Sequence, residues 1–249
     1  MKIVKTLTAG LCAVSLSSAW AGPSAPPAPL EAAVEEATSL GVNVSVGYDS
    51  EYIFRGVKFA DDSVWAQVDY AYDLTENLAF DIGAWYETSA SDQYDELNLW
   101  AGLSTSLGPI DLSAGFLWYY FPPVGTGASS DTQEVFYSLG YDLYGFTLGF
   151  THAYDFVPEG HYFQLAVGRS IALTEALSLD LSAGISYNYD YFLDGNGWNN
   201  VDLSAGLPIA LSDSATLTPY IAYSHALDVL EDSGVDDYFY GGVSLSVSF

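Results

Sequence analysis

From Val42 to Phe249 the chain alternates apolar with small or polar residues, and nowhere past residue 21 is it apolar for the ~18 residues of a spanning helix. The final ten residues, Tyr240-Gly-Gly-Val-Ser-Leu-Ser-Val-Ser-Phe249, show the pattern at its cleanest. Val243, Leu245, Val247 and Phe249 fall on one face of an extended strand, and Gly242, Ser244, Ser246 and Ser248 fall on the other. Strand after strand with one greasy and one hydrophilic face leaves few architectures. A lipid-facing sheet can have no unpaired edge, so it closes on itself. The expectation is an all-β, up-and-down antiparallel transmembrane barrel.

Composition agrees and removes other classes. The chain has 249 residues, 50% of them hydrophobic and 16% aromatic, with 32 Asp+Glu against 5 Lys+Arg. So acidic a chain invites disorder, but 20 Tyr, 13 Phe and 6 Trp argue against it. Nucleic acid and anionic membrane surfaces are poor partners for such a chain, because binding them relies on Lys and Arg neutralising phosphate, and no nucleic acid is expected. Abundant apolar residues without apolar runs are what a barrel produces, since lipid-facing and lumen-facing residues alternate.

The N-terminus reads as a targeting segment. Lys2 and Lys5 precede a mostly apolar stretch, Ile3 to Leu16, and Ala19-Trp20-Ala21 has the form of a signal-peptidase site. Residues 1–21 are therefore expected to be a signal peptide cleaved near Ala21, 22–41 a Pro/Ala-rich acidic periplasmic linker, and 42–249 a barrel in the outer membrane of a Gram-negative bacterium, with lipid as its first partner. Cys12 lies inside the leader, so the mature chain has no cysteine for a disulfide or a thiolate metal site. Arg55, Lys58 and Arg169 are its fixed cations.

Period two predicts strands near 42–55, 64–73, 78–88, 96–107, 110–120, 132–143, 146–154, 161–173, 177–189, 198–210, 216–225 and 237–249. That is about twelve, an even number as bacterial single-chain barrels have. Connections at 75–77, 108–109, 144–145, 174–176 and 212–215 are tight; those near 56–63, 89–95, 121–131, 155–160, 190–197 and 226–236 are longer and polar or acidic. A soluble sandwich or barrel has no reason to sort its connections so. The sorting puts both termini on the periplasmic side. Aromatic residues at row ends predict two girdles: Tyr52/Phe54, Trp118/Tyr120 and Tyr187/Tyr189 on the loop side; Tyr72, Phe80, Tyr141 and Phe249 on the turn side. Asp-Leu-Ser-Ala-Gly recurs at Asp111–Gly115, Asp180–Gly184 and Asp202–Gly206, its first, third and fifth positions pointing inward.

Carboxylates cannot face hydrocarbon cheaply, so Asp69, Asp81, Glu87, Glu96, Asp111, Glu134, Asp142, Asp180 and Asp202 are expected to line the lumen, with Arg55 among them. Such a lumen favours cations, because charged rings set pore selectivity. Arg55 is expected to pair with an inward carboxylate such as Asp49 or Asp69. Barrels of eight strands are filled by side chains and those of sixteen or more are aqueous; twelve, with inward Trp65, Trp85, Trp100 and Tyr119, predicts a constricted passage or a plug. The expected function is passive diffusion of small solutes or cations. A closed structural or surface-interaction barrel is the alternative. A lipid hydrolase would need a serine activated by His152, His161 or His225, and no outward serine stands near the first two. His152 and His161 are expected to approach each other, with Asp155 or Glu159 as a third ligand should they hold a metal. No cofactor and no catalytic residue is expected.

Two resemblances bear on this. The terminal strand ending on Phe249 is similar to the C-terminal signature of bacterial outer-membrane barrels, which implies the barrel-assembly machinery as a partner. Ser50-Glu51-Tyr52-Ile53-Phe54-Arg55-Gly56, followed by Val64-Trp-Ala-Gln-Val-Asp-Tyr70 and Ile82-Gly-Ala-Trp85-Tyr86, resembles the TorF-type porin family of proteobacteria. That resemblance covers the first third of the barrel and implies a porin without naming a solute.

Overall fold

The computed structural model describes residues 40–123 and 129–249. The expected signal peptide 1–21, residues 22–39 of the expected linker, and 124–128 of the expected 121–131 loop lie outside the described residues.

One antiparallel sheet contains β1 (Val42–Phe54), β2 (Val57–Thr75), β3 (Leu78–Ser89), β4 (Asp95–Leu107), β5 (Ile110–Phe121), β6 (Ser130–Leu143), β7 (Phe146–Asp155), β8 (Gly160–Ala172), β9 (Ser178–Tyr189), β10 (Asn196–Gly206), β11 (Ile209–Ala210), β12 (Ala215–Ala226) and β13 (Tyr238–Ser248). β1 pairs with β13, and β10 with β12, so the sheet is a closed ring. β11 has two residues and only extends the turn end; without it, twelve of the thirteen strands make the wall. Order persists to the chain end, where the Phe249 amide donates to the Val42 carbonyl at 2.9 Å.

The observed strands follow the expected ones except at two places. Residues 57–63, expected as loop, belong to β2, and the β1–β2 connection is only Arg55-Gly56. Both residues have positive φ, 51° and 81°, as a type I′ hairpin requires. Lys58, Asp61 and Asp62 mimic a solvated loop in sequence, yet the Lys58 ammonium meets Asp61 at 3.1 Å along the hairpin. The expected 198–210 strand breaks after Gly206, because Pro208 has no N–H for the ladder. In the 226–236 loop a short helix, α1 (Asp228–Asp232), turns Val229 and Leu230 onto the barrel end.

The two faces separate as period two demands. Val44, Val68, Leu103, Phe116, Leu139, Leu165, Leu203 and Ile221 are exposed on the outer wall, an apolar band that belongs in hydrocarbon rather than water. At its loop-side rim, Tyr48 donates to Asp62 (2.7 Å), Tyr86 to Asp95 (2.9 Å), Trp118 to Asp131 (3.0 Å) and Tyr223 to Asp237 (2.6 Å). Rings with one wet end suit an interface. Asp237 lies outside the wall; Tyr223, the Ala226 amide and His225 hold its carboxyl down at about 2. Arg169 is exposed near the turn end, 4.7 Å over Phe146.

Inside, glycine is paired across the ladder with large rings. Gly47 opposes Trp65, Gly83 opposes Trp100 and Gly115 opposes Phe136. A Cβ on Gly83 would meet the Trp100 indole, so the missing side chain is the space the ring occupies. Gly83→Val is therefore expected to cost about 1–3 kcal/mol through overpacking. Urea unfolding in micelles followed by tryptophan emission checks this, with Ala84→Val on the outer face as the near-neutral control.

Candidate functional site

The lumen has two halves with different chemistry. Toward the turn end the inward rows carry small hydroxyls that bond across the ladder: Ser113 with Ser138 and Ser182 with Ser204 at 2.6 Å, Ser45 with Ser246 at 3.1 Å. Each carboxylate there accepts from a neighbouring polar side chain, though one oxygen of Asp69 and one of Asp180 stay buried without a partner among the described residues. Asp69 accepts from Gln67 (2.8 Å), Asp81 from Ser104 (2.8 Å), Asp111 from Ser106 (2.6 Å) and Asp142, exposed at the rim, from Thr147 (2.8 Å). Asp180 is buried with Ser178 at 3.4 Å, and Asp202 accepts from Asn200 at 2.7 Å.

Toward the loop end the inward rows turn aromatic. Tyr52, Phe54, Trp85, Trp100, Leu117 and Tyr119 form one buried cluster, with Phe59, Tyr94 and Phe136 packed against it. Tyr52 and Phe54 thus correct the expected outer girdle. Three successive residues, Tyr52, Ile53 and Phe54, are buried, which no strand with lipid on one side can achieve. Beyond Asp49↔Gly242 the first strand has no ladder partner in β13, only the Ser50 hydroxyl that accepts from the Gly241 amide at 3.1 Å, and β2 pairs with β3 only from Ser63↔Ser89. The hairpin from Glu51 to Ala60 has left the wall and folded into the lumen, while Asp62 stays at the rim, its carbonyl accepting from the Ala90 amide at 2.8 Å.

At the tip of that hairpin Arg55 reaches across to β6, nearly opposite in the ring. Its guanidinium grips Glu134 with both terminal nitrogens, at 2.8 and 3.1 Å. The rings of Tyr162, Tyr191 and Phe54 stand 4.4, 4.6 and 4.8 Å from the guanidinium carbon. The Arg55 and Glu134 side chains are 7% and 0% exposed. The Tyr191 hydroxyl also donates to Glu134, and the Asn199 amide donates to the Arg55 carbonyl at 2.8 Å. Burial opposes charge on Arg55, but the Glu134 carboxylate outweighs it and holds the guanidinium protonated beyond its ordinary range. The expected partners of Arg55 were Asp49 and Asp69. Asp49 instead takes hydrogen bonds from Trp65 (2.8 Å) and Tyr220, because the hairpin carries Arg55 past both.

Glu87 and Glu96 face each other directly across β3 and β4. Glu96 accepts from Tyr94 and from Asn98 (2.7 Å); Glu87 is fully buried and neither of its oxygens has a partner among the described residues. Every expected lumen residue thus lies on an inward row or at the hairpin tip, though Asp142 is at the open rim and Glu87, Glu96 and Glu134 are sealed from solvent.

Two contributors went unread in the sequence, Tyr191 in the 190–195 loop and Leu230 in α1, the latter pressed against Gly56. A fully buried Asp155, read only as a possible metal ligand, points inward, held by Thr132 and the Val157 amide (2.9 Å). His152 and His161 do meet, Nε2 to Nδ1 at 2.9 Å, so Asp155 lies on the face opposite to them.

The family described as a bacterial protein of unknown function, Gcw_chp, matches residues 33–239. No curated protein matches the chain. Among solved structures, an outer membrane channel from Pseudomonas putida F1 is similar over 88% of this chain and 100% of that one, at 12% identity and a TM-score of 0.57. The KdgM porin is similar over 83% and 99%, at 7% identity and a TM-score of 0.51. The translocator domain of the autotransporter NalP from Neisseria meningitidis is similar over 86% and 90%, at 15% identity and a TM-score of 0.51. At such identities these likenesses establish the closed barrel of outer-membrane type.

Removing either end of a buried ion pair leaves the other charge unpaired, at a cost of about 3–5 kcal/mol. Arg55→Ala and Glu134→Ala are each expected to lose that much in urea unfolding. The double variant is expected to lose clearly less than their sum, a coupling that a double-mutant cycle measures.

Proposed function

We propose that this chain, which belongs to the Gcw_chp family of bacterial proteins of unknown function, is an outer-membrane channel of porin type that passes small neutral or cationic solutes. One observation carries the reading: a wall apolar outside encloses hydrophilic rows whose carboxylates face a single inward arginine, itself paired with Glu134. An inert structural barrel has no need of so polar a bore. The TorF-type resemblance at Ser50–Gly56 and the likeness to porin folds support it. So does the apolar outer band, which fits the outer membrane with the short turns and both termini toward the periplasm. The same lumen charge argues against anionic cargo. The KdgM porin has been solved with oligogalacturonate, a polyanion, and a bore lined as this one is would repel such a chain.

A closed barrel without transport is the second reading, favoured by the filled loop half of the lumen. Lipid hydrolysis has less support, since among the described residues His152 and His161 bond to each other and His225 to Asp237, and none of them to a serine.

Planar-bilayer recording separates the two. The wild-type protein is expected to give brief, small conductance steps whose reversal potential favours cations. Glu134→Gln, which unlatches the hairpin, is expected to lengthen and enlarge them. Asp81→Asn with Asp111→Asn, both half-buried on inward rows, is expected to move the reversal potential toward zero. Silence from wild type and Glu134→Gln alike would leave the closed barrel.

A further inference from the structure

Arg55 is seated in a socket that it did not bring with it. Of the four groups around its guanidinium, Glu134, Tyr162 and Tyr191 belong to the wall and to the 190–195 loop, and only Phe54 travels with the hairpin. A carboxylate that accepts two parallel N–H bonds, with aromatic faces beside the same plane, is the chemistry that recognises a guanidinium group. An ammonium group lacks the fork that fills both carboxylate oxygens and the flat surface that meets the rings. The Tyr191 hydroxyl bonds Glu134 as well, and so orients the carboxylate from the wall side. With the arginine side chain removed, the wall residues would still define this site.

We propose that Glu134, Tyr162 and Tyr191 form a binding site for guanidinium-bearing solutes, which Arg55 fills as a tethered internal ligand. In the channel reading, on which only this role depends, a solute carrying the same group competes with Arg55 and releases the hairpin from the bore. The room beside the seat is a cavity of about 10 Å³ bounded by Arg55, Tyr162, Asn188, Tyr191 and Asn199, enough for one water and no more. A competing solute must therefore move the hairpin to enter. Tethering gives Arg55 an effective concentration of about millimolar or above, so competition in the wild type needs at least as much free solute.

The test empties the seat first. Purified Arg55→Ala in detergent micelles is melted with increasing ethylguanidinium, with ethylurea as the neutral isostere and sodium chloride at matched ionic strength. The expected result is a saturable rise of the melting midpoint by several degrees with ethylguanidinium only, abolished in Arg55→Ala/Glu134→Gln. Should Arg55→Ala not fold, the yield of refolded barrel replaces the melt, and a severalfold rise with ethylguanidinium alone is expected. No saturable effect, an equal effect from ethylurea or salt, or one that survives Glu134→Gln overturns the proposal. Bilayer recordings keep the two readings apart. A silent bilayer beside a positive melt sinks the channel and leaves the seat; conductance steps beside a flat melt sink the seat and leave the channel.

Discussion

A backbone amide facing hydrocarbon has no water to bond to, and every larger feature of this molecule answers to that constraint. It forces the ladder to close from β1 onto β13 and keeps order up to the Phe249 amide. It also fixes the period, because a strand whose backbone is spent on its neighbours has only its two faces left to differ. With hydrocarbon on one of them, carboxylates have nowhere to go but in.

An inward-facing acid needs a partner, and this chain has almost no cations to give. Hydrogen-bond donors serve instead, one small set for each acid. Trp65 and Tyr220 serve Asp49, Thr132 and the Val157 amide serve Asp155, Asn200 serves Asp202, and serines serve Asp81 and Asp111. Glu134 alone receives an arginine, and receives it from the far side of the ring. That contact couples the hairpin to the wall more tightly than the neutral bonds around it, since charge-assisted bonds are roughly twice as strong. Glu87 departs from the scheme, with both oxygens buried and unpartnered among the described residues.

The closed barrel, its strand count and the facing of its rows were legible because each rests on a local regularity. Asp111, Ser113 and Gly115 point inward for the same reason that Asp180, Ser182 and Gly184 do, and period two finds them both. The hairpin was not legible, since Tyr52 and Phe54 have the spacing of a girdle pair whether their strand stays in the wall or leaves it. Gly56 opened what reads as a long polar loop over 56–63, and even a type I′ turn at Arg55-Gly56 joins strands without saying where they go. The partner of Arg55 lies 79 residues on, and only the ring geometry brings Glu134 within reach. Tyr191 and Leu230 sit in loops whose sequences show no period at all. Pro208, by contrast, announced the end of β10 through its missing donor, and the apolar run across it masked that signal.

Asp49 and Ser63 are paired with each other, and they are also where the ladders to β13 and to β3 begin. The inserted segment therefore hangs from that one rung and two flanking bonds, the Ala90 amide to the Asp62 carbonyl at 2.8 Å and the Gly241 amide to the Ser50 hydroxyl at 3.1 Å, like a leaf on a pin. It could withdraw without unzipping either neighbouring seam, giving up the ion pair, its ring contacts and a few side-chain bonds such as those from Ser89 and Ser91 to the Asp61 carbonyl. The cylinder around it would remain whole throughout.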